Sequence, residues 1–503
     1  MTLPVFLASF FKRLFWALIP LTAWADLAEM SLDEKIGQLF VMPACPKRGA
    51  EHFEDLCTLI HECHVGSVII KQSDPLTQVA FLNRLQSVSD HRLLVMADAE
   101  WGLAMRMADT MAFPRNMTLG AIQDLSLLKE LGAEIGRQAR LVGIDMNLAP
   151  VADVNTNPLN PIIGMRSFGE DPSHVADCVL AISAGMQSAG LLTCVKHFPG
   201  HGDTLVDSHK DLPIVHDLMG GLFPFQRAFA AGVDAVMTAH LYVPVIDPIW
   251  PTSLSLACLH MIKDCGFEGL IISDALNMGA LRRYSPEEVA IRARAAGCDL
   301  LLYGDHIAPN VDEILRETIP RAFAALKRGY LSGELDLAEL DQTVRKILDR
   351  KKRLPVVAVG DSLLESLHSA DALALKQRLF QEACSWVGDA WIPDLATTAY
   401  LSFGEGDILA EHFGQLSPEE ASCVVIAIHQ KEALTPEAIA QIAQYQDRSI
   451  LCHFATPYAL KGLKSKTVLL GYENDPMAQR AALNILLGKQ IAKGSPPLKI
   501  AFK

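Results

Sequence analysis

Residues 191–213 read LLTCVKHFPGHGDTLVDSHKDLP. A short apolar run at 191–195 passes directly into Lys196 and His197, and then into a loop rich in glycine, histidine and aspartate. An apolar run of this length, bounded by polar residues, is typical of a strand that is buried on both faces. The same unit, a short apolar run that ends in polar residues, recurs through the first part of the chain and therefore decides the fold.

Seven further runs of this kind precede or follow it, at 37–42, 66–70, 93–97, 143–148, 234–238, 269–272 and 298–302. Segments with helical periodicity lie between them, for example 125–141 (LSLLKELGAEIGRQARL) and 286–296. Continuous apolar strands that alternate with helices indicate a parallel sheet covered on both faces. Eight such units over this length predict an α/β fold of the (β/α)₈ TIM-barrel type rather than an open sheet.

The pattern changes near 350–354 (RKKRL), where we expect the barrel, residues 27–350, to end. A helical linker is predicted over 351–384. Residues 385–503 alternate again, with predicted strands at 422–429, 449–454 and 467–471 and predicted helices at 436–446 and 476–487. This part of the chain is expected to form a smaller α/β sandwich domain.

Composition excludes several classes of function. The 503 residues are 50% hydrophobic and 20% charged, with a formal net charge of −14. A nucleic-acid-binding surface needs clustered Lys and Arg, so we expect no nucleic-acid partner. The 11 cysteines are odd in number and contain no Cys-x-x-Cys pair, which argues against a disulfide framework and a zinc ribbon.

The N-terminal segment, residues 1–25, has the layout of a secretory signal peptide. Lys12 and Arg13 precede an apolar stretch at 14–25 that ends in Ala-Trp-Ala. The stretch is short for a membrane span, and no stable span is expected. Export to the periplasm of a bacterium is therefore predicted. The long segment before Lys12 and the many cysteines favour the alternative, an apolar N-terminal helix of a cytoplasmic protein.

Polar residues follow four of the predicted strands. The third strand leads into Asp98 and Glu100, the fifth into Lys196 and His197, the sixth into His240 and the seventh into Asp274. In a barrel of this type the active site is built where the strands end. A single polar residue could simply hydrogen-bond at the rim, but four strand ends converge on one face.

The loop at 196–213 admits three interpretations from its residue types. Its ligand-capable side chains could form a metal site: His197, His201, Asp203, Asp207 and His209. The same histidines and aspartates could perform acid–base catalysis, or the loop could be only a solvated polar segment. It lacks the Gly-x4-Gly-Lys-[Ser/Thr] spacing of a phosphate-binding loop.

Asp274 follows the apolar run at 269–272. An ionised carboxylate at the open rim of a barrel suits nucleophilic attack on an anomeric carbon. The alternative is that Asp274 caps the next helix, which is the simpler interpretation of this residue taken alone.

Together these segments resemble a known family. The combination KHFPGHGD…DSH at 196–209, with SDALNM at 273–278, resembles the bacterial β-N-acetylglucosaminidases of glycoside hydrolase family 3. Residues 98–106 are similar to the family's D-x-E-G-G-x(3)-R region, and residues 166–172 (RSFGEDP) to its R-S-F-G-x-D-P loop. The C-terminal GYENDPMAQRAALNILLGK is similar to the end of the family's α/β domain.

The resemblance implies a role for each matching residue. Asp274 would be the nucleophile of a retaining glycosidase, and His209, oriented by Asp207, the general acid and base. Five residues would bind the sugar: Asp98, Arg106, Arg166, Lys196 and His197. The family implies no metal and no organic cofactor. The expected partner is a carbohydrate, a terminal β-linked N-acetylglucosamine on peptidoglycan fragments.

Two positions depart from the family pattern. Trp101 stands where many relatives have Gly, which could narrow the pocket or offer a stacking face, and Ala275 replaces a second Asp. Several functions stay open: a phosphorylase or β-glucosidase of the same family, a metal-dependent hydrolase, and a non-catalytic sugar-binding protein. The oligomeric state and the role of the C-terminal domain are also open.

Overall fold

The computed structural model describes residues 27–499, except 216–217, 306–309, 355–361, 407, 414–415, 431–433, 461–462 and 464. The predicted signal segment at 1–25 lies outside the described residues, as does part of the predicted linker. Statements about structure below refer to the described residues.

Eight short strands form the first sheet, and all eight coincide with predicted apolar runs. They are β1 (Phe40–Ala44), β2 (Ser67–Ile70), β3 (Leu94–Ala97), β4 (Met146–Asn147), β5 (Leu192–Phe198), β6 (Ala235–Thr238), β7 (Leu270–Ser273) and β8 (Leu301–Leu302). Every residue of these strands is buried. This is the pattern expected of parallel strands that are covered on both faces.

Helices separate and surround these strands. They are α1 (Leu32–Gly37), α2 (Ala50–Cys63), α3 (Pro75–Ser87), α4 (Asn116–Leu119), α5 (Leu125–Leu141), α6 (Pro172–Ser188), α7 (Met219–Ala230), α8 (Leu256–Asp264), α9 (Pro286–Ala296), α10 (Val311–Glu313), α11 (Ile319–Ser332) and α12 (Leu337–Arg353). A π-helical turn, Ile314–Thr318, joins α10 to α11. Short 3₁₀ turns, including Gly164–Arg166 and Gly279–Leu281, lie in the loops that follow the strands.

The eight strands close into a barrel. Their order is β7-β6-β5-β4-β3-β2-β1-β8, with every pair parallel. A bridge between Ile272 and Leu300 joins the two ends of this row, and the peptide N–H of Ser273 donates to the carbonyl of Leu300 over 3.0 Å. The predicted (β/α)₈ barrel is therefore confirmed, and the carboxyl ends of all strands meet at one rim.

The second domain contains a five-stranded mixed sheet. Its strands are β9 (Ser385–Gly388), β10 (Thr398–Phe403), β11 (Cys423–Ile428), β12 (Ser449–His453) and β13 (Thr467–Leu470), in the order β10-β11-β12-β13-β9. Only β9 is antiparallel to its neighbour. The remaining helices are α13 (Leu363–Leu367), α14 (Ala370–Ala383), α15 (Pro436–Ala443) and α16 (Pro476–Leu486). This confirms the predicted smaller α/β domain, although β9 and β10 were not foreseen.

The two domains are packed together. One face of the second sheet, including Val424 and Ile426, belongs to the same continuous cluster of buried residues as the barrel core. The opposite face packs with Phe380 of α14 and with α16. The helix α14 contributes Leu375 to the buried cluster that includes the barrel core and Phe380 to the cluster on the opposite face of the second sheet. It therefore packs against both domains.

Two global features bear on the sequence expectations. In the part of the chain that the structure describes, every helix is too short or too polar to cross a bilayer. All eleven cysteines are free thiols, and most are buried.

Candidate active site

The floor of the barrel mouth is built around Asp98, which follows β3. Its carboxylate is held by three cations: Lys196 Nζ at 2.9 Å, Arg106 Nη2 at 2.8 Å and Lys71 Nζ at 3.3 Å. Burial alone would raise the pKa of Asp98, but Lys196, Lys71 and Arg106 outweigh burial and hold the pKa well below its usual value. Asp98 is therefore a fixed anion with a defined orientation.

A second carboxylate, Glu100, lies beside it. Arg166 forms a bidentate salt bridge with Glu100, with Nη2–Oε1 at 2.8 Å and Nε–Oε2 at 3.0 Å. Lys196 Nζ approaches Glu100 Oε1 at 2.9 Å and so bridges the two carboxylates. Burial opposes ionisation of Glu100, but Arg166 and Lys196 more than compensate and lower its pKa. The bidentate geometry fixes the guanidinium plane of Arg166.

His197 continues this network from the end of β5. Its Nδ1 lies 2.7 Å from Asp153 Oδ2, and its Nε2 lies 3.3 Å from Arg166 Nη2. Because the carboxylate accepts and the guanidinium donates, the neutral ring carries its proton on Nδ1. Asp153 is fully buried and also accepts from the peptide N–H of His201 over 2.6 Å.

Asp274 lies at the end of β7 and is partly exposed to the mouth. Its Oδ1 accepts a hydrogen bond from the peptide N–H of Ala275 over 2.8 Å. Burial would raise the pKa of this carboxyl, but the nearby imidazoles, first that of His240 and then those of His197 and His209, lower it to about 2. Asp274 is therefore ionised at neutral pH, as a nucleophile must be.

His240, at the end of β6, supports the backbone next to Asp274. Its Nε2 donates to the carbonyl of Ala275 over 2.9 Å, and its Nδ1 accepts from the hydroxyl of Ser253 over 2.6 Å. The ring is fully buried, and this burial lowers the pKa of His240. The neutral ring thus holds the backbone of Ala275, the residue whose N–H donates to Asp274.

His209 and Asp207 form a pair on the loop after β5. Asp207 Oδ1 lies 2.7 Å from His209 Nδ1 and accepts from the peptide N–H of His209 over 3.0 Å. Burial would raise the pKa of Asp207, but these two hydrogen bonds and the charge of His209 lower it. The carboxylate therefore orients the imidazole ring of His209.

A buried histidine anchors the base of this loop. His201 Nδ1 lies 2.7 Å from Thr204 Oγ1, and its Nε2 lies 3.1 Å from Ser208 Oγ. Burial lowers the pKa of His201 to about 4, so this ring stays neutral. Ser208 immediately precedes His209, so His201 restrains the end of the loop that carries His209.

The tip of the loop is docked against the turn that follows β7. The peptide N–H of Gly279 donates to the carbonyl of His209, and that of Ala280 to the carbonyl of Ser208, each over 3.2 Å. A Cβ atom at Gly279 would lie 2.5 Å from the His209 carbonyl oxygen. Glycine is therefore required for this close approach, which brings His209 to the side of the mouth that holds Asp274.

The structure brings the predicted site residues together at one rim. Asp98, Arg106, Arg166, Lys196 and His197 form one continuous polar network, and Asp274 and the His209–Asp207 pair lie around the same mouth. Sequence reasoning did not assign roles to Lys71, Glu100, Asp153 and His240. Glu100 and His240 follow predicted strands, so their position was a usable signal.

Four of the five ligand-capable side chains of the 196–213 loop have protein partners among the described residues, whereas Asp203 Oδ1 is buried without a hydrogen-bond partner there. Both ring nitrogens of His197 and of His201 are engaged, and Asp207 pairs with His209. Among the residues described, no group of three or more His, Cys, Asp or Glu side chains is arranged to hold a metal ion. The arrangement instead offers one ionised carboxylate and one carboxylate-oriented imidazole.

Comparison with known proteins agrees with this geometry. The glycosyl hydrolase family 3 N-terminal domain matches residues 31–349, which contain the whole barrel. The chain therefore belongs to glycosyl hydrolase family 3. Within that family, its relatives group it with the β-hexosaminidases.

Three of these relatives define the similarity. "Beta-hexosaminidase A" of Pseudoalteromonas piscicida is 30% identical over 89% of this chain and 81% of its own length. "Beta-N-acetylglucosaminidase/beta-glucosidase" of Cellulomonas fimi is 30% identical over 70% of this chain, and the match spans 64% of that relative's length. The solved structure of a family 3 β-N-acetylglucosaminidase from Paenibacillus sp. is 28% identical with a TM-score of 0.79, covering 94% of this chain and 100% of that chain.

Proposed function

We propose that this chain is a retaining β-N-acetylglucosaminidase in which Asp274 is the nucleophile and His209, oriented by Asp207, is the general acid and base. One observation carries the proposal. The loop that bears the His209–Asp207 pair is hydrogen-bonded to the turn after β7, next to the ionised Asp274. A carboxylate and a proton carrier on one mouth are the two groups that a double displacement needs.

The reaction proceeds in two displacements. The Asp274 carboxylate forms a bond to the anomeric carbon while the glycosidic C–O bond breaks, and protonated His209 gives its proton to the leaving oxygen. His209, now neutral, takes a proton from water as that water attacks the anomeric carbon and releases Asp274. The Asp207 carboxylate stabilises the imidazolium in the first step.

The polar network on the floor of the mouth would hold the sugar. Asp98 and Glu100 accept hydrogen bonds from hydroxyl groups, whereas Arg106, Arg166 and Lys196 donate them. All five groups are already charged and held in place by one another, so little reorganisation is needed on binding. A sugar that lacks a matching hydroxyl would leave a buried charge without its partner, and this supplies selectivity.

The proposed substrates are peptidoglycan fragments that end in a β-linked N-acetylglucosamine. The support is the resemblance of the site motifs to bacterial enzymes of this type, together with relatives named β-hexosaminidase. Phosphorolysis is the second candidate, because a histidine does not repel an anionic acceptor as a carboxylate would.

The test is the release of aryl alcohol from an aryl β-N-acetylglucosaminide, compared with the matching β-glucoside. Preference for the N-acetyl sugar supports the proposal, whereas activity on the glucoside alone overturns the substrate assignment. Product analysis with and without inorganic phosphate separates hydrolysis from phosphorolysis. A slow fluorinated substrate should leave a sugar covalently attached to the peptide that contains Asp274.

We also propose that the chain is exported. The support is the layout of residues 1–25, a basic pair before an apolar stretch and a small-residue site. N-terminal sequencing of the protein purified from its native host would test this. A mature terminus near Asp26 is the expected result, and an intact Met1 would contradict it.

A further inference from the structure

The second domain reaches the barrel mouth through Tyr458. This residue lies in the 3₁₀ turn Pro457–Leu460, which follows β12. Its hydroxyl accepts a hydrogen bond from Asn155 Nδ2 over 2.7 Å and donates to the carbonyl of Asn155 over 3.4 Å. Tyr458 therefore holds both the side chain and the backbone of one barrel residue.

Asn155 connects this contact to the sugar-binding network. It is fully buried in the loop after β4, and its Oδ1 accepts from the peptide N–H of Gly164 over 3.1 Å. Gly164 begins the 3₁₀ turn Gly164–Arg166, which presents Arg166 to Glu100 and His197. Two hydrogen bonds, one from Asn155 to Tyr458 and one from Gly164 to Asn155, thus connect the second domain to the turn that carries Arg166.

The same barrel segment supports the base of the catalytic loop. A Cβ atom at Gly202 would lie 1.7 Å from the carbonyl oxygen of Val154, so loop and segment are in direct contact. The peptide N–H of Asn157 donates to the carbonyl of Gly202 over 3.3 Å. A shift of Asn155 would therefore displace the turn that carries Arg166, and to a smaller extent the base of the loop at Gly202.

The peptide N–H of Gly164 fixes which way the Asn155 amide faces, and the hydroxyl of Tyr458 then satisfies its Nδ2. The N–H of Gly164 can only donate, so the amide oxygen must face it, and Nδ2 must then face acceptors. Those acceptors are the carbonyl of Asn157 at 3.2 Å and the hydroxyl of Tyr458. Without that hydroxyl a buried amide N–H loses a partner, which costs more than an exposed bond would.

We infer that Tyr458 is a positioning residue for the sugar-binding site, acting on Arg166 through Asn155. Through this path the second domain contributes to the affinity of the barrel for the sugar. This inference rests on the proposed function, in which Arg166 binds the sugar. Since Arg166 would hold the sugar equally before and during the reaction, the effect should fall on KM and leave kcat nearly unchanged.

The experiment compares Tyr458→Phe with Tyr445→Phe, in the full chain. Tyr445 is a matched control because its hydroxyl donates to Glu419, also in the second domain, over 3.1 Å. With an aryl β-N-acetylglucosaminide we expect Tyr458→Phe to raise KM by roughly fivefold, with kcat within about twofold. The inhibition constant of free N-acetylglucosamine should rise by the same factor, and Tyr445→Phe should change neither.

Arg166→Lys separates a failure of the inference from a failure of the proposed function. Lysine cannot form the bidentate pair with Glu100, so KM should rise strongly if Arg166 binds the sugar. If KM does not change in Arg166→Lys, the assigned role of Arg166 is wrong and the inference falls with it. If KM rises there while Tyr458→Phe behaves like Tyr445→Phe, only the inference is overturned, and Tyr458 merely joins the domains.

Discussion

Asp274 combines three properties at the scale of a single residue. It ends a buried strand, it is partly exposed to the mouth, and its pKa is lowered to about 2. In the proposed mechanism the carboxylate is the reactive form, and it persists as the pH falls to about 3. A fall in kcat/KM between about pH 4 and 6 would therefore arise from another group.

We expect Asp274→Ala to reduce hydrolysis of an aryl β-N-acetylglucosaminide by roughly four orders of magnitude, because the covalent intermediate cannot form. Folding should be retained, since within the described residues the carboxylate accepts its hydrogen bond from the adjacent peptide N–H of Ala275. Sodium azide should restore part of the turnover and give the α-glycosyl azide. Rates close to those of the wild type would show that Asp274 is not the nucleophile.

His209→Ala should affect substrates according to their leaving groups. A poor leaving group needs the proton that His209 supplies, so we expect a loss of roughly 10²–10⁴-fold. An aryl glycoside with an acidic phenol should lose much less in its first step. Asp207→Asn should reproduce this pattern more weakly, and an equal loss on both kinds of substrate would argue against an acid role.

At the residue scale, site residues that directly follow a predicted strand could be predicted from the sequence. Residues that act on a partner far away in the sequence could not. Asp98, Lys196, His197 and Asp274 all follow a predicted strand, and the structure places them around one mouth. Asp153 was missed because it lies five positions beyond the predicted strand at 143–148 and acts through His197, 44 positions away. Pairings of that kind depend on how neighbouring strands are registered, which local pattern does not contain.

At the element scale, the feature that matters is the contact between two loops. The loop after β5 reaches the turn after β7 only because Gly279 has no side chain. We expect Gly279→Ala to lower kcat by roughly 10²-fold, because the Cβ must displace the backbone of His209 and so misplace the ring. The thermal midpoint should be recorded as well, because Ala280 and Leu281 of the same turn are buried and a displaced turn would also lower stability.

Gly220→Ala is a suitable control for this change. Gly220 lies in α7, and an added Cβ there would meet only Pro172, at an ordinary contact distance of 3.7 Å. This variant should retain wild-type kcat. If Gly279→Ala also retained wild-type kcat, docking of the loop would not be needed for turnover.

Helices with clear end signals were predicted to the residue. The helix α5 begins after Asp124, whose side chain caps Ser126 N–H, and α9 is bounded by the capping Ser285 and by Gly297 with φ of 114°. The strands β9 and β10 were missed because they are the outer strands of their sheet and only partly buried. Outer strands lack the continuous apolar run on which the other predictions relied.

At the scale of the whole molecule, the number of strand–helix units predicted a closed barrel, but neither the contact that closes it nor the attachment of the second domain could be predicted. Closure depends on the bridge between Ile272 and Leu300, and attachment on side chains such as Glu473, which accepts from the peptide N–H of Arg115 over 2.7 Å. Both are contacts between positions that are distant in the sequence. The apolar pattern of a strand in the second sheet is the same whether its buried face packs against a helix or against another domain.

A buried lysine connects the last helix of the barrel to the segments that precede its first two strands. Lys351, in the last turn of α12, donates to Gln38 Oε1 over 2.6 Å and to the carbonyl of Gly66 over 2.8 Å. Its side chain is only 2% exposed, and burial lowers its pKa to about 7. Both acceptors are neutral, so no carboxylate in hydrogen-bond contact compensates for a charge at this position.

This gives the stability of the whole chain a predictable dependence on pH. In the unfolded chain a lysine titrates near about 10.4, so between about pH 7 and pH 10 the unfolded state holds one more proton than the folded state. The contribution of this residue to the free energy of unfolding should therefore rise with pH, by at most about 1.4 kcal/mol per unit. Lys351→Met should remove that rise, whereas Lys352→Met, an exposed neighbour on α12, should keep it.

Thermal midpoints of the three proteins at pH 6.5, 8 and 9.5 are the measurement. If wild type and Lys351→Met differed by a constant amount at all three values, Lys351 would be charged in the folded state, and its two neutral acceptors would be enough to hold that charge.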